Sequence, residues 1–229
     1  MSTTGWRLEA GGWRLGAAAP LLALLLCAAA VRAGDARRVE VGNLTYAGDK
    51  TSVCFSDRFL TTVKAEAGID AATRMRGVRL ADAADLASVP FAVMNGQEAF
   101  RLTADERANL KLWLSTGGFL LASAGCSSQQ WNASFATDME AVFGAGCLAE
   151  VGLDHAIFKT LFTVPAAPLS HGGTASFKGL TLDGRLVCLF SPEGLNDTAH
   201  TQGCCCCGGN EVKAAEEIVA NVLIYALVE

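Results

Sequence analysis

Basic residues are scarce once the first 33 residues are set aside. The whole chain has 18 Lys and Arg against 23 Asp and Glu. Without Arg7, Arg14, Arg32 and Glu9 the totals become 15 basic and 22 acidic residues, a formal charge of −7. Because phosphate backbones repel a surface of that sign, the composition argues against nucleic acid as a partner.

After residue 33 the sequence also lacks an internal repeat, a long linker and an apolar run long enough to cross a bilayer. The remaining length of about 195 residues suits one domain with its own hydrophobic core. We therefore predict a single domain over residues 34–229. A membrane contact is expected only if the leader stays uncleaved.

The first 33 residues have the pattern of a secretory signal peptide. Arg7 and Arg14 supply positive charge, residues 15–31 are mostly apolar, and Val31 and Ala33 suit a cleavage site. We predict cleavage after Ala33 and export to the periplasm or beyond the cell. An uncleaved anchor is the alternative, because the apolar run is long for a signal peptide and short for a membrane span.

Export determines how the cysteines are interpreted. Nine cysteines, less Cys27 in the leader, leave eight in the exported part. The most unusual string is Cys204-Cys205-Cys206-Cys207, which precedes a predicted helix. In an oxidising compartment we expect disulfides from these residues to Cys126, to Cys147 or to each other. A soft metal site for zinc or copper(I) is the second interpretation, and thiolate catalysis is the third; no other cofactor is predicted.

Hydrophobic periodicity predicts strands that alternate with helices. Thr103 and Glu106 form a capping box that starts a helix, which Gly117-Gly118 ends. Asp183-Gly184 between two apolar runs predicts a hairpin. The predicted strands are residues 39–46, 75–80, 90–94 and 119–122, with an extended segment at 157–164. A further helix is predicted at residues 55–67, where Gly68 ends it. Two more are predicted at residues 133–143 and from a cap at Asn210 to about Leu227.

This pattern predicts an α/β fold, a three-layer sandwich around a mostly parallel sheet with an antiparallel hairpin near one edge. Five segments in a fixed order resemble the bacterial family of domain of unknown function 4159: residues 90–97 (PFAVMNGQ), 102–122, 154–158 (DHAIF), 184–191 and 221–227. The resemblance covers residues 39–227. That family is similar to class I glutamine amidotransferase-like domains, which implies a flavodoxin-like fold and leaves the function open.

Two predicted strand ends supply candidate binding residues. Ligands of open parallel sheets bind beyond the carboxyl ends of the strands, where the strand order reverses. The small and polar residues that follow the third and fourth predicted strands are therefore the ligand-binding candidates: Asn95, Gln97, Glu98, Ser123, Cys126 and Ser127. An ordinary turn that uses these residues for its own geometry is the competing interpretation.

Cys126 is the candidate nucleophile, because amidotransferases carry a cysteine after a central strand. A nucleophilic cysteine needs a nearby base, and His155 with Asp154 is the first candidate pair; His171 and His200 are alternatives. The complete catalytic pattern is lacking. We therefore expect a non-catalytic module of the bacterial cell envelope that binds a small ligand or an envelope protein. The alternatives are a cysteine hydrolase or amidotransferase-like enzyme and a metal or redox module at Cys204–Cys207.

Overall fold

A seven-stranded sheet lies at the centre of the computed structural model, which describes Met1 and residues 38–51, 54–201, 204 and 209–229. The strands are β1 (Val41–Thr45), β2 (Arg76–Arg79), β3 (Phe91–Gly96), β4 (Phe119–Ala124), β5 (Ala149–Glu150), β6 (Lys178–Leu182) and β7 (Arg185–Ser191). Their order in the sheet is β2-β1-β3-β4-β7-β6-β5.

The sheet is mostly parallel, as predicted. The strands β2, β1, β3, β4 and β7 run in one direction, whereas β6 is antiparallel to β7. Asp183 and Gly184 join β6 to β7 with φ angles of 50° and 84°. Two successive positive φ angles are typical of the tight hairpin turn that the Asp-Gly pair predicts.

Five helices of the described chain flank the sheet. They are α1 (Arg58–Ala67), α2 (Ala83–Ala87), α3 (Ala104–Ser115), α4 (Gln129–Phe143) and α5 (Ala215–Val228). The capping box at the start of α3 is confirmed, since Thr103 and Glu106 each accept a hydrogen bond from the other's backbone N–H. Gly68 ends α1 in the left-handed conformation, also as predicted from the sequence.

The central strands β3 and β4 are buried on both faces, because each face is covered by helices. Alternate residues such as Phe91 and Phe119 pack against α1 and α5, while Ala92 and Leu120 pack against α2, α3 and α4. This arrangement confirms a three-layer α/β sandwich of flavodoxin-like type.

The prediction of an extended segment at residues 157–164 is wrong. A 3₁₀ turn at Ala156–Phe158 starts this stretch, which packs against α5. The buried side chain of Asn221 accepts hydrogen bonds from the backbone N–H groups of Leu161 and Phe162 and donates to the Phe162 carbonyl. A helix side chain thereby replaces a neighbouring strand as hydrogen-bond partner, so the apolar residues are buried without a sheet.

The prediction that Asn210 caps the last helix is also wrong, because α5 starts at Ala215. The Asn210 side chain accepts a hydrogen bond from the His171 N–H and donates one to the Gly172 carbonyl. Asn210 therefore joins two loops. The leader and Cys205–Cys207 lie outside the described residues, and within the described part no helix has the length and apolarity needed to span a membrane.

Candidate functional site

The strand order reverses between β1 and β3, and a cleft of about 380 Å³ lies at their carboxyl ends. We call it the switch-point cleft; it is lined by Tyr46, Asp49, Lys50, Thr51, Cys54, Asn95, Gly96, Gln97 and Glu98. Three of the predicted ligand-binding residues, Asn95, Gln97 and Glu98, are among them. The reversal point is where open α/β sheets bind ligands, because the chain diverges there to both faces of the sheet.

A buried hydroxyl fixes the floor of the switch-point cleft. The Tyr46 hydroxyl donates to the Asn95 carbonyl at 3.0 Å and accepts a hydrogen bond from the indole N–H of Trp131 at 2.7 Å. Gly96 makes this approach feasible, because a Cβ atom there would lie 2.2 Å from the Tyr46 hydroxyl. Burial raises the pKa of Tyr46 to about 12, so the phenol is neutral at physiological pH.

We expect Tyr46→Phe to change how stability depends on alkaline pH. The folded protein holds the phenol neutral up to about pH 12, whereas the unfolded chain ionises it near pH 10, so wild type loses about 2–3 kcal/mol between these values. The variant should be about 1–2 kcal/mol less stable at pH 7, because the Trp131 N–H loses its acceptor. The gap should close near pH 11 and reverse in sign towards pH 12 in urea titrations, because the loss in wild type exceeds its advantage at pH 7. A constant gap from pH 8 to pH 12 would contradict this.

Two opposite charges flank the switch-point cleft. Lys50 Nζ lies 2.6 Å from Glu98 Oε2, and this hydrogen bond lowers the pKa of Glu98 below its usual value. The Glu98 side chain is 76% exposed, and the Lys50 side chain is 32% exposed. Exposed ion pairs contribute little to stability, so both groups can rearrange around a ligand at small cost.

A buried hydrogen-bond network supports the rim behind this cleft; we call it the rim network (Asn95, Ser123, Asn196, Glu211). Asn196 accepts hydrogen bonds from the Asn95 amide and, at 2.9 Å, from the Ser123 hydroxyl. Its own amide donates to the Ala124 carbonyl and to Glu211 Oε1, both at 3.0 Å. The four hydrogen bonds of the Asn196 side chain thus join the ends of β3 and β4 to the loops around residues 196 and 211.

The rim network gives two of the predicted ligand-binding residues a structural role. Ser123 is fully buried, and its hydroxyl also accepts the Leu195 N–H. Asn95 is 2% exposed and contributes to the cleft floor. Sequence reasoning missed Asn196 and Glu211. Both lie in irregular loops, where no periodicity or capping pattern distinguishes a buried polar residue from an exposed one.

Cys126 lies just beyond β4 in a left-handed conformation with φ 53°, followed by Ser127 at φ 54°. Cys126 is disulfide-bonded, and the Gln97 amide lies 3.1 Å from its sulfur. Ser127 donates to the Glu193 carbonyl and accepts the Asn210 N–H. The predicted residues of this turn are thus engaged in protein contacts.

A second cleft, of about 460 Å³, borders Cys126. Its lining includes two of the three histidines of the chain together with acidic and basic side chains: Cys126, His171, Asp197, His200, Glu211 and Lys213. We call it the cysteine cleft. Its residues come from the turn after β4, the loop before β6, the loop after β7 and the segment before α5. The turn after β4 and the loop after β7 place it beyond the carboxyl ends of the central strands.

The structure does not bring His155 and Asp154 to Cys126. The His155 ring lies 5.7 Å from the ring of Tyr225, which in turn lies 6.0 Å from Phe119 at the start of β4. His155 is therefore near the start of β4, whereas Cys126 follows its end. Strands rise about 3.3 Å per residue, so the two ends of β4 are roughly 16 Å apart. His155 Nδ1 accepts the Ile157 N–H and so stabilises the 3₁₀ turn, while the Asp154 carbonyl accepts a hydrogen bond from Lys159 Nζ.

The disulfide prediction is confirmed for Cys204, but its partner is Cys54 instead of Cys126, Cys147 or another cysteine of the string. This bond removes Cys204 from the predicted thiolate metal site, and Cys205–Cys207 lie outside the described residues. Cys147 and Cys188 are free thiols. Burial raises the pKa of both, so neither has the thiolate character that metal binding or catalysis needs. A different group, Asp197, His200 and Glu216, brings potential metal ligands together.

Comparison with known proteins is consistent with the resemblance inferred from the sequence. The family model described as "Domain of unknown function (DUF4159)" matches residues 40–227. A search of curated proteins found no match. This match covers most of the chain, including the sheet and the two clefts, and the chain belongs to the family of domain of unknown function DUF4159.

Proposed function

We propose that the protein is a non-catalytic module of the bacterial cell envelope that binds a small polar ligand in the switch-point cleft. The observation that carries this proposal is the position of the cleft, between the ends of β1 and β3 where the strand order reverses. Lys50, Gln97 and Glu98 offer a cation, an amide and a carboxylate around a floor held by Tyr46. Such a lining suits a molecule with several hydrogen-bonding groups.

Two observations favour binding over catalysis. Cys126, the candidate nucleophile, is disulfide-bonded, and a disulfide sulfur is not the thiolate that attacks a carbonyl group. The candidate pair His155 and Asp154 lies towards the opposite end of the strands, beyond the reach that proton transfer requires.

The envelope location is supported by the leader pattern and by the Cys54–Cys204 disulfide. Residues 1–33 combine positive charge, an apolar run and small residues at the proposed cleavage site. Disulfides persist in oxidising compartments and are rare in the cytosol. Within the envelope, the partner is a small ligand or another envelope protein.

A cysteine hydrolase is the second candidate function, and the conformation of Cys126 favours it. A nucleophile on a strained turn after a strand is exposed at the top of the sheet, and Cys126 has φ 53° at such a turn. The cysteine cleft also contains His200, whose Nδ1 lies 2.7 Å from Asp197 Oδ1. This candidate needs an external dithiol to release Cys126 from its disulfide.

Chemical-shift mapping of the purified exported protein tests the proposal. Titration with N-acetylated amino sugars, amino acids and dipeptides should shift backbone amide signals at residues 46–51 and 95–98. The variant Lys50→Ala should weaken binding at least fivefold, whereas Lys159→Ala, an exposed lysine beside the 3₁₀ turn, should not. Shifts confined to residues near Lys159 would overturn the proposed site. Turnover of ester or amide substrates with dithiothreitol, lost in Cys126→Ala, would establish the hydrolase instead.

A further inference from the structure

Three potential metal ligands converge at the start of α5, apart from the switch-point cleft. Asp197 and His200 lie three residues apart in the loop after β7, and Glu216 is in the first turn of α5. One ligand atom from each residue lies within 4.8 Å of the other two. His200 also lines a cleft of about 630 Å³ between this loop and the start of α1, so the group has an opening to solvent.

A buried oxygen of Asp197 that lacks a hydrogen-bond partner among the described residues is independent evidence for a ligand. Asp197 Oδ1 lies 2.7 Å from His200 Nδ1, but Oδ2 is buried and has no hydrogen-bond partner within the described part of the chain. Burying a carboxylate oxygen without a partner is costly, and native proteins rarely leave such an atom unsatisfied. A cation beside Oδ2 would satisfy it.

We propose that Asp197, His200 and Glu216 bind a divalent metal ion of the zinc class. Imidazole and carboxylate ligands suit zinc, and three protein ligands leave a fourth position for water or a ligand from the adjacent cleft. Calcium and magnesium prefer six or more oxygen ligands, which this group lacks. Zinc ligand atoms lie roughly 3.5 Å apart, so binding requires an adjustment of about 1 Å from a spacing of at most 4.8 Å. The His200 side chain is 46% exposed and free to make it.

Arg58 competes with the metal for Glu216. Its Nε lies 2.8 Å from Glu216 Oε2, and the Thr62 hydroxyl donates to the other oxygen. The Arg58 side chain is 53% exposed beside the 630 Å³ cleft, so it can leave Glu216 without being buried elsewhere. In metal binding Glu216 therefore exchanges the guanidinium for the ion, and loss of Arg58 should increase metal affinity.

Isothermal titration of the disulfide-intact protein with Zn²⁺ tests this site. We expect one ion per chain, with affinity reduced at least tenfold in His200→Ala and in Glu216→Gln. His171→Ala, which alters the neighbouring cysteine cleft, should bind as wild type does. Arg58→Ala should bind several-fold more tightly, a gain that a merely structural role of these residues would not produce.

Co²⁺ spectra distinguish this site from the cysteines. Nitrogen and oxygen ligands give visible d–d bands without the intense sulfur-to-cobalt charge-transfer bands of thiolate ligands. Charge-transfer bands, unchanged Zn²⁺ affinity in His200→Ala, or no binding at all would overturn the proposal. The test is independent of the proposed function, because neither Lys50 nor Gln97 contributes to it.

Discussion

Replacing Cys54 and Cys204 together by serine should lower the free energy of unfolding by about 4 kcal/mol. The bond joins residues 150 positions apart, and the chain-entropy model gives about 5 kcal/mol for closing a loop of that length, near the upper end of measured values. For a domain of this size the loss corresponds to a fall in melting temperature of roughly 10 °C. Urea denaturation and thermal melting of both proteins measure the effect.

The matched control for this prediction is Cys147→Ser. Cys147 is a free, partly buried thiol, so its replacement should change stability by less than about 1 kcal/mol. Dithiothreitol should destabilise wild type at least as much as the double replacement does, because it also reduces the Cys126 disulfide. A double variant as stable as wild type would show that the bond does not constrain the unfolded chain.

The Cys54–Cys204 bond also has a functional consequence. Cys54 lines the switch-point cleft, and Cys204 follows the loop that carries Asp197 and His200. The bond therefore ties the wall of the switch-point cleft to the loop of the proposed metal site. The double serine variant should weaken ligand binding in the cleft more than Cys147→Ser does, provided both are compared below their melting temperatures.

Local signals made much of the fold predictable from the sequence. The capping box at Thr103, the stop at Gly68 and the turn at Asp183-Gly184 each depend on residues within a few positions, and the structure confirms all three. Residues 157–164 were mispredicted because their backbone partner is Asn221, about 60 positions away. Apolar composition alone does not distinguish a strand from a loop that a distant helix covers.

The candidate site was likewise predictable only where its residues follow a local pattern. Asn95, Gln97 and Glu98 were found because a strand end is a local feature, and the topology places them at the reversal of strand order. The rim network depends on Asn196, which meets Asn95 and Ser123 from 101 and 73 positions away. Likewise, the separation of Cys126 from His155 follows from the path of α5 across the sheet. Such non-local contacts leave no periodic trace in the sequence.

Asn196→Asp should be among the most destabilising single-atom exchanges in the protein, with a loss of about 4 kcal/mol at pH 7. The Asn196 amide donates to the Ala124 carbonyl and to Glu211, and the replacement puts a carboxylate oxygen in its place. Asn196 is fully buried, and the new oxygen would face two acceptors, one of them the negatively charged Glu211 carboxylate. Unpaired buried charges typically cost about 3–5 kcal/mol.

The pH dependence of Asn196→Asp identifies the cause of the loss. Burial and Glu211 should raise the pKa of the introduced carboxyl group in the folded state above its unfolded value of about 3.9. The penalty should thus be small near pH 3, where the protonated group again donates a hydrogen bond, and should grow as the pH rises towards 7.

Asn109→Asp is the matched control, because the half-buried amide of Asn109 donates a single hydrogen bond, to the Leu80 carbonyl. It should cost about 1 kcal/mol. Equal losses in both variants across this pH range would refute the view that the Asn196 amide holds the rim of the two clefts together.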